Sequence, residues 1–229
     1  MVHPGAPNPR GWLITIEGPD GAGKTTQVER LGAHLQARGL DVVLTREPGG
    51  TWLGEQLRKV LLARTGSAAP TDALTDAFLF NAARRQLVSQ VIEPALSSGR
   101  TVLCARFADS TLAYQGYGAG ISLDRLRALE AVATDGLRPD LTVLLDLPVE
   151  SGLTRVAPGD VNRFEAEFDL AFHRRVREGF LALAVAEPDR YVVVDATRSP
   201  DEVATNVNGA ADRLIGSGEP KQFAMRTNR

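Results

Sequence analysis

Short runs of apolar and β-branched residues recur along the chain, separated by longer segments with helical periodicity. Runs of this length and composition favour β-strands. They predict five strands, at residues 12–17, 41–45, 101–105, 141–147 and 190–196. Because runs such as TVLLDL are apolar at nearly every position rather than at alternate ones, the predicted sheet should be covered on both faces.

The segments between these runs carry apolar residues at helical spacing. Val28, Leu31 and Leu35 fall on one face of a predicted helix, and a second stripe runs from Leu87 to Leu96 and ends before Gly99. Strands that alternate with helices imply parallel pairing through right-handed crossovers. The chain is therefore predicted to form one α/β domain over residues 11–215, with a five-stranded parallel sheet between two helical layers.

Three segments depart from this rhythm. Residues 1–10 and 216–229 carry no periodic apolar pattern and are expected to be flexible tails. Residues 155–167, RVAPGDVNRFEAE, form a polar break that contains Pro and Gly between helical segments. Such a break is consistent with a solvated loop, but its length and its position after a strand and a short helix favour a lid.

Composition narrows the class of protein. A chain of 229 residues has room for one sizeable α/β domain. Its formal net charge of −2 predicts no nucleic-acid partner and no anionic membrane partner. The sequence has no apolar run of roughly 18 residues and no secretory signal, so a cytoplasmic protein is expected. Cys104 is the only cysteine, which excludes an intrachain disulfide, and we expect it to be a small buried hydrophobe.

The stretch GPDGAGKTT follows the first predicted strand and opens the first predicted helix. Its glycines allow backbone N–H groups to face one concavity, Lys24 adds a positive charge, and Thr25 offers a hydroxyl to Mg²⁺. A chance match on a glycine-rich turn is the alternative, but the strand and helix on either side are the context that this motif requires. The predicted ATP-binding residues here are Gly18, Pro19, Asp20, Gly21, Ala22, Gly23, Lys24, Thr25 and Thr26.

Arginines follow two predicted strands. Arg46 and Arg106 lie at the carboxyl ends of strands, which is the edge where open α/β sheets bind ligands. Phosphoryl transfer between two polyanions needs such cations. Any single arginine could equally be a surface residue, but the placement of these two at strand ends favours a functional role.

Three further blocks, TREPGGT at 45–51, FNAARRQLV at 80–88 and RFADSTLAYQG at 106–116, accompany the phosphate-binding stretch. Together, in this order and spacing, they resemble the thymidylate kinase family over about residues 12–213. The resemblance implies a P-loop NTPase-like fold, dTMP and ATP as substrates, Mg²⁺ as the metal, and a homodimer packed through helices beside the first helix.

The resemblance also implies roles for individual residues. Phe80 would stack on thymine and Arg84 would hydrogen-bond the base, while Tyr114 would pack against the sugar C2′ and exclude a ribose hydroxyl. Asp20 would approach the 3′-hydroxyl and the metal. The remaining residues of the implied acceptor site are Arg46, Pro48, Arg58, Arg106, Ser110 and Gln115, and Asp195 would lie near the donor adenine.

The phosphate-binding loop contains Gly21 and no arginine, so the chain resembles the bacterial type in which the lid supplies the catalytic arginine. The lid offers Arg163 as the first candidate and Arg155 as the second, and the resemblance also assigns Arg155 to the ATP site. Residue 162 is Asn where the family usually has Asp, whereas Glu165 keeps the acid that follows. The predicted catalytic residues are therefore Lys24, Arg106, Arg163 and Asp20.

One departure from the family concerns the metal. The family normally has Asp-Arg after the third strand, but this chain has Ala105-Arg106. Either the kinase is weakened, or Asp20 and Glu165 join Thr25 in holding the metal. Asp146 ends another apolar strand and is expected to cap the following helix instead.

Three functions follow from these observations. An active dTMP kinase is the leading hypothesis. A nucleotide-binding protein with little or no kinase activity is the alternative that Ala105 and the arginine-poor lid raise. A deoxynucleoside kinase is the third, and Arg46 and Arg106 argue against it because its acceptor has no phosphate to neutralise.

Overall fold

A computed structural model describes residues 10–64, 71–157 and 161–218. Its sheet has five parallel strands in the order β2-β3-β1-β4-β5. The predicted strands and the predicted α/β sandwich are confirmed. The strands are β1 Leu13–Glu17, β2 Val42–Arg46, β3 Thr101–Ala105, β4 Leu141–Asp146 and β5 Tyr191–Asp195.

Helices cover both faces of the sheet, as the apolar strands require. They are α1 Lys24–Ala37, α2 Trp52–Leu62, α3 Ala73–Leu87, α4 Glu93–Ser97, α5 Ala108–Thr111, α6 Leu123–Thr134, α7 Val149–Arg155, α8 Arg163–Glu167, α9 Leu170–Ala186 and α10 Pro200–Gly216. Two π-helical segments interrupt them, π1 Val88–Ile92 and π2 Leu112–Gly118. The apolar stripe from Leu87 to Leu96 thus spans three helical elements.

Among the residues that the structure describes, three apolar clusters make up the core. Leu31 and Val207 represent the cluster that α1 and α10 form with one sheet face. Leu87 and Ile92 belong to a second cluster beneath β1 and β3, and Phe180 belongs to a third beside β4 and β5. Cys104 is fully buried in the second cluster, as expected.

Because all five strands run in the same direction, their carboxyl ends meet at one edge of the sheet. This edge collects the polar residues that end four of the strands, Glu17, Arg46, Asp146 and Asp195, whereas β3 ends at Ala105. Asp146 was expected to cap α7, which is wrong, because it accepts two hydrogen bonds from Arg177 of α9, at 2.7 and 2.8 Å. The long arginine reaches the strand end from the neighbouring helix.

Most of the expected tails, at 1–10 and 216–229, lie outside the described residues. Arg10 is described, and its guanidinium donates to both carboxylate oxygens of Asp140 at 2.9 and 3.1 Å. Within the described ranges, no helix has the length and apolar character needed to cross a membrane.

Helix α7 lies directly against the phosphate-binding loop. A Cβ atom on Gly152 would lie 2.3 Å from the carbonyl oxygen of Asp20, and one on Gly21 would lie 2.0 Å from the carbonyl oxygen of Gly152. Contacts this close to backbone atoms leave no room for a side chain. The two glycines therefore fix the distance between the loop and α7.

We expect Gly152→Ala to lower the free energy of unfolding by about 1–3 kcal/mol, because the added methyl group overpacks a backbone contact. Gly209→Ala in α10 is the matched control, since its Cβ would meet only Arg213, at 3.5 Å. The control should be neutral or stabilising by up to about 1 kcal/mol, as Ala favours helix over Gly. Urea unfolding measures both, and equal stability of Gly152→Ala and the unmodified protein would contradict the packing argument.

Candidate active site

The loop between β1 and α1 has the backbone of an anion site. Gly18, Gly21 and Gly23 have φ angles of 142°, 73° and 88°, which only glycine adopts readily. Lys24 begins α1, and its Nζ donates to the carbonyl oxygens of Gly18 and Pro19 at 3.0 and 2.7 Å. Burial and the nearby Arg106 charge lower the pKa of Lys24 to about 7.

Arg106 occupies the centre of the strand edge. It follows β3 in a left-handed conformation, with φ 66°, and its backbone N–H donates to Ile16 at 3.0 Å. Its guanidinium donates to the carbonyl oxygen of Gly18, to Ser110 Oγ and to the Tyr114 hydroxyl, each at 3.2 Å. It also forms an ion pair with Asp20. Arg106 therefore connects the phosphate-binding loop with π2.

Asp20 is the counter-charge of this arginine. Besides the Arg106 ion pair, it accepts a 2.7 Å hydrogen bond from the Tyr114 hydroxyl. Burial opposes its ionisation, but Arg106 and Lys24 outweigh burial and hold its pKa below the ordinary value. Asp20 is thus a carboxylate at neutral pH.

A cavity open to solvent lies over this centre. Aromatic side chains, arginines and the start of α1 meet in it. Of the residues predicted from the sequence, it is lined by Asp20, Lys24, Thr25, Arg46, Pro48, Arg58, Phe80, Arg84, Arg106, Ser110, Tyr114 and Gln115. The structure thus brings together all ten residues predicted for the acceptor.

Arg84 was expected to hydrogen-bond the base, and most of its donors are engaged. The side chain is 1% exposed; its Nε donates to Glu47 at 2.9 Å and Nη1 to Asn81 at 2.9 Å, and Nη2 donates to Phe107 O and Thr111 Oγ1. A guanidinium has five N–H groups. These four bonds use all of these groups except one Nη1 hydrogen, and Nη2 also lies 2.8 Å from Glu47.

The predicted lid residues divide between two places. Arg163 does not line the cavity: its Nη2 donates to Asp76 Oδ2 at 2.8 Å, and both side chains are buried. Glu165 accepts from the backbone N–H of Asn162 at 2.9 Å and completes a capping box at the start of α8. Arg155, at the end of α7, donates to Ala196 O at 3.0 Å and so lies beside Asp195, the residue predicted near the donor adenine.

Comparison with known proteins adds independent information. The family model described as thymidylate kinase matches residues 16–207. A thymidylate kinase of Deinococcus radiodurans is 54% identical over 199 residues, covering 86% of this chain and 95% of that protein. One of Thermomicrobium roseum is 52% identical, with 90% and 97% covered. The chain belongs to the thymidylate kinase family.

A solved structure agrees with this membership. The crystal structure of thymidylate kinase from Ehrlichia chaffeensis matches with a TM-score of 0.69 and 35% identity, covering 90% of this chain and 99% of that one. The fold is therefore the P-loop NTPase fold of this family, as the sequence predicted. Thymidylate kinases use ATP as the phosphoryl donor, which accounts for the loop around Lys24.

Two buried acids at this kinase site were not predicted from the sequence. Glu17 accepts from the Phe107 N–H at 2.6 Å and from Ser110 Oγ at 2.7 Å, and burial followed by the Asp109 charge raises its pKa to about 7. Glu47 pairs with Arg84. Both acids lie at or just beyond the end of a predicted strand. A charged side chain is buried there only if it has a partner, so this position is the sequence signal that could have indicated them.

The kinase site offers few protein ligands to Mg²⁺. Among the described residues no group of three or more His, Cys, Asp or Glu side chains is arranged around a metal position. Thr25 and Asp20 line the cavity, and the pKa of Glu165 is raised by burial and then by the charge of Asp20. This set fits Mg²⁺, which usually takes one or two protein ligands and completes its shell with phosphates and water.

Binding of ATP should raise the pKa of Lys24, because phosphate oxygens favour the ammonium form. At about pH 8 the amine with a pKa of about 7 is mostly neutral, so ATP binding should take up close to one proton. Calorimetry in buffers of different ionisation enthalpy measures this uptake. Lys24→Met should abolish it and Lys59→Met, on the exposed side of α2, should keep it; equal uptake in both variants would contradict the assignment.

Proposed function

We propose that this protein transfers the γ-phosphoryl group of ATP to dTMP, with Mg²⁺ bound to the ATP phosphates. The observation that carries this proposal is the network of Arg106 with Asp20 and Tyr114, which joins the phosphate-binding loop to an aromatic acceptor pocket in one cavity. Donor and acceptor thereby meet at a shared cation, as phosphoryl transfer between two anions requires.

Catalysis of this reaction rests on positioning and charge stabilisation rather than on covalent chemistry. Lys24 and the N–H groups of the loop hold the donor phosphates, and Arg106 stabilises the charge that spreads over the moving group. Asp20 holds Arg106 in place and faces the acceptor sugar. Mg²⁺, held by Thr25 with Asp20 and Glu165 nearby, would neutralise donor charge and orient the phosphates.

The proposed acceptor carries a phosphate, because two arginines of the cavity remain available to bind a phosphate group. Arg46 is 54% exposed and reaches Glu55 only at 3.4 Å, and Arg58 donates one hydrogen bond to the carbonyl oxygen of Pro48. Both line the cavity beside Arg106. A nucleoside acceptor would leave this pair of charges without an anion, which argues against a deoxynucleoside kinase.

An aromatic pocket forms the other end of the cavity. The ring centroids of Phe80 and Phe164 are 6.1 Å apart, and the Tyr114 ring stands perpendicular to that of Phe164 at 5.7 Å. A pyrimidine can stack on Phe80, with Arg84 at its edge. Tyr114, held by Asp20 and Arg106, would exclude a 2′-hydroxyl by its bulk.

We also propose a homodimer. Helices α2, α3 and α6 pack on one another in series and expose Trp52, Val60, Phe78 and Val132, which are 54–78% accessible. The large apolar side chains described on α1 and α10 are buried or partly buried instead. The exposed apolar residues favour a dimer through α2, α3 and α6 rather than through helices beside α1.

The cytoplasm, where ATP and dTMP are found, is the proposed location.

An ADP-release assay with dTMP, dUMP, ribo-TMP and thymidine tests the proposed reaction. We expect the highest kcat/KM with dTMP and no turnover of thymidine. Tyr114→Ala should raise the rate on ribo-TMP relative to dTMP by roughly tenfold, because a steric barrier is removed. Tyr117→Ala, which changes a π2 residue outside the cavity lining, is the control and should keep the preference.

ATP binding without turnover of any acceptor would favour the nucleotide-binding alternative. An unchanged sugar preference in Tyr114→Ala, with dTMP turnover retained, would contradict only the role of Tyr114.

Ala105 lines the cavity where relatives are expected to have a carboxylate. Such a group acts on Mg²⁺ through bound water, and outer-shell groups are typically worth 10- to 100-fold. We expect the unmodified protein to be active and Ala105→Asp to lower the Mg²⁺ concentration for half-maximal turnover by about tenfold. Magnesium titrations of turnover measure this. Ala105→Asn controls for shape without charge, and superimposable curves for Ala105→Asp and the unmodified protein would contradict the expectation.

A further inference from the structure

The ion pair between Asp76 and Arg163 is buried although it joins a lid residue to a distant helix. Asp76 lies in the first turn of α3 and Arg163 begins α8. Arg163 Nη2 lies 2.8 Å from Asp76 Oδ2, and the two side chains are 2% and 3% exposed. Breaking such a pair strands an uncompensated charge in the interior, which is strongly unfavourable.

The pair forms next to the aromatic pocket. Asp76 and Phe80 are four residues apart and therefore lie on the same face of α3. Arg163 and Phe164 are consecutive, and while Arg163 pairs with Asp76, the Phe164 ring faces Phe80 at 6.1 Å. Two successive turns of α3 thus hold two successive residues of the lid.

Other contacts fix the rest of α8 around this pair. Asn162 and Glu165 form the capping box at its start, and His173 Nε2 from α9 lies 3.1 Å from Phe164 O. The Arg163 guanidinium also lies over the Phe164 ring, 4.8 Å from its centroid. The Phe164 ring is therefore positioned from both sides, and it lines the cavity that Arg163 does not reach.

We propose that Arg163 is a positioning residue, which together with Asp76 anchors α8 on α3 and holds Phe164 as a wall of the acceptor pocket. For Arg163 to contact a transferring phosphate, the guanidinium would have to leave its buried partner and the ring beneath it. The inference rests on the proposed function only in naming dTMP as the occupant of the pocket. It assigns Arg163 and Asp76 to acceptor binding rather than to the transfer step.

A double-mutant cycle tests this assignment with the uncharged replacements Asp76→Asn and Arg163→Met. We expect each single variant to raise the KM for dTMP by 10- to 100-fold while kcat changes less than about threefold. The double variant should be no worse than either single one, because both substitutions remove the same interaction. Asp76→Glu, which retains the charge, should recover part of the affinity.

A transfer role for Arg163 gives the opposite pattern. Arg163→Met would then lower kcat by roughly 10³, as for other arginines that stabilise the transition state, and Asp76→Asn would leave kcat intact. That result would overturn the proposal. Calorimetric binding of dTMP without ATP supplies a second readout, since a residue acting only in transfer would not change it.

Hydrogen exchange of the ligand-free protein separates this inference from the proposed function. Both single variants should lose amide protection over residues 163–168, whereas Arg155→Met, at the other end of the lid, should not. Unchanged protection in Asp76→Asn and Arg163→Met would overturn the anchoring role whatever the substrate is. Lost protection in a protein that does not bind dTMP would support the anchor and reject the proposed acceptor. Thermal unfolding of each variant confirms that the fold persists.

Discussion

The network around the partly buried guanidinium of Arg106 is the interaction on which the rest of the site depends. A charge taken out of water is tolerated only if its donors are satisfied and a counter-charge is near. The loop carbonyl of Gly18, the Tyr114 hydroxyl and the Asp20 carboxylate meet these needs. Because those partners belong to the phosphate-binding loop and to π2, satisfying one cation fixes the geometry of both sides of the cavity.

Buried charges around the cavity are paired in a consistent way. Asp20 neutralises Arg106, Glu47 neutralises Arg84, and Asp76 neutralises Arg163. Arg46 and Arg58 are the cavity arginines with the weakest protein contacts, and they lie on the side of Pro48 and α2. The protein therefore separates cations that build the pocket from cations that remain available to a substrate anion.

Local pattern and the common edge of parallel strands predicted the strands, the phosphate-binding loop and the placement of Arg46 and Arg106, whereas the other acceptor residues were implied by the resemblance to the family. It did not predict the partners of the buried charges. Asp76 and Arg163 are separated by 87 positions, and Arg177 reaches Asp146 from another helix. Spacing along a chain specifies the face on which a side chain lies, whereas its partner depends on how whole elements pack.

Because Gly21 contacts Gly152, the conformation of the phosphate-binding loop depends on a residue outside its sequence motif. The glycines of this loop are needed for their backbone angles. Gly152 of α7 is needed for a different reason, because the carbonyl oxygen of Asp20 occupies the space that a side chain would fill. Helix α7 therefore supports the loop, although Gly152 is not part of its sequence motif. The shape of the loop depends on two parts of the chain. A substitution in α7 is therefore expected to alter how the donor phosphates are held, even though the motif itself is unchanged.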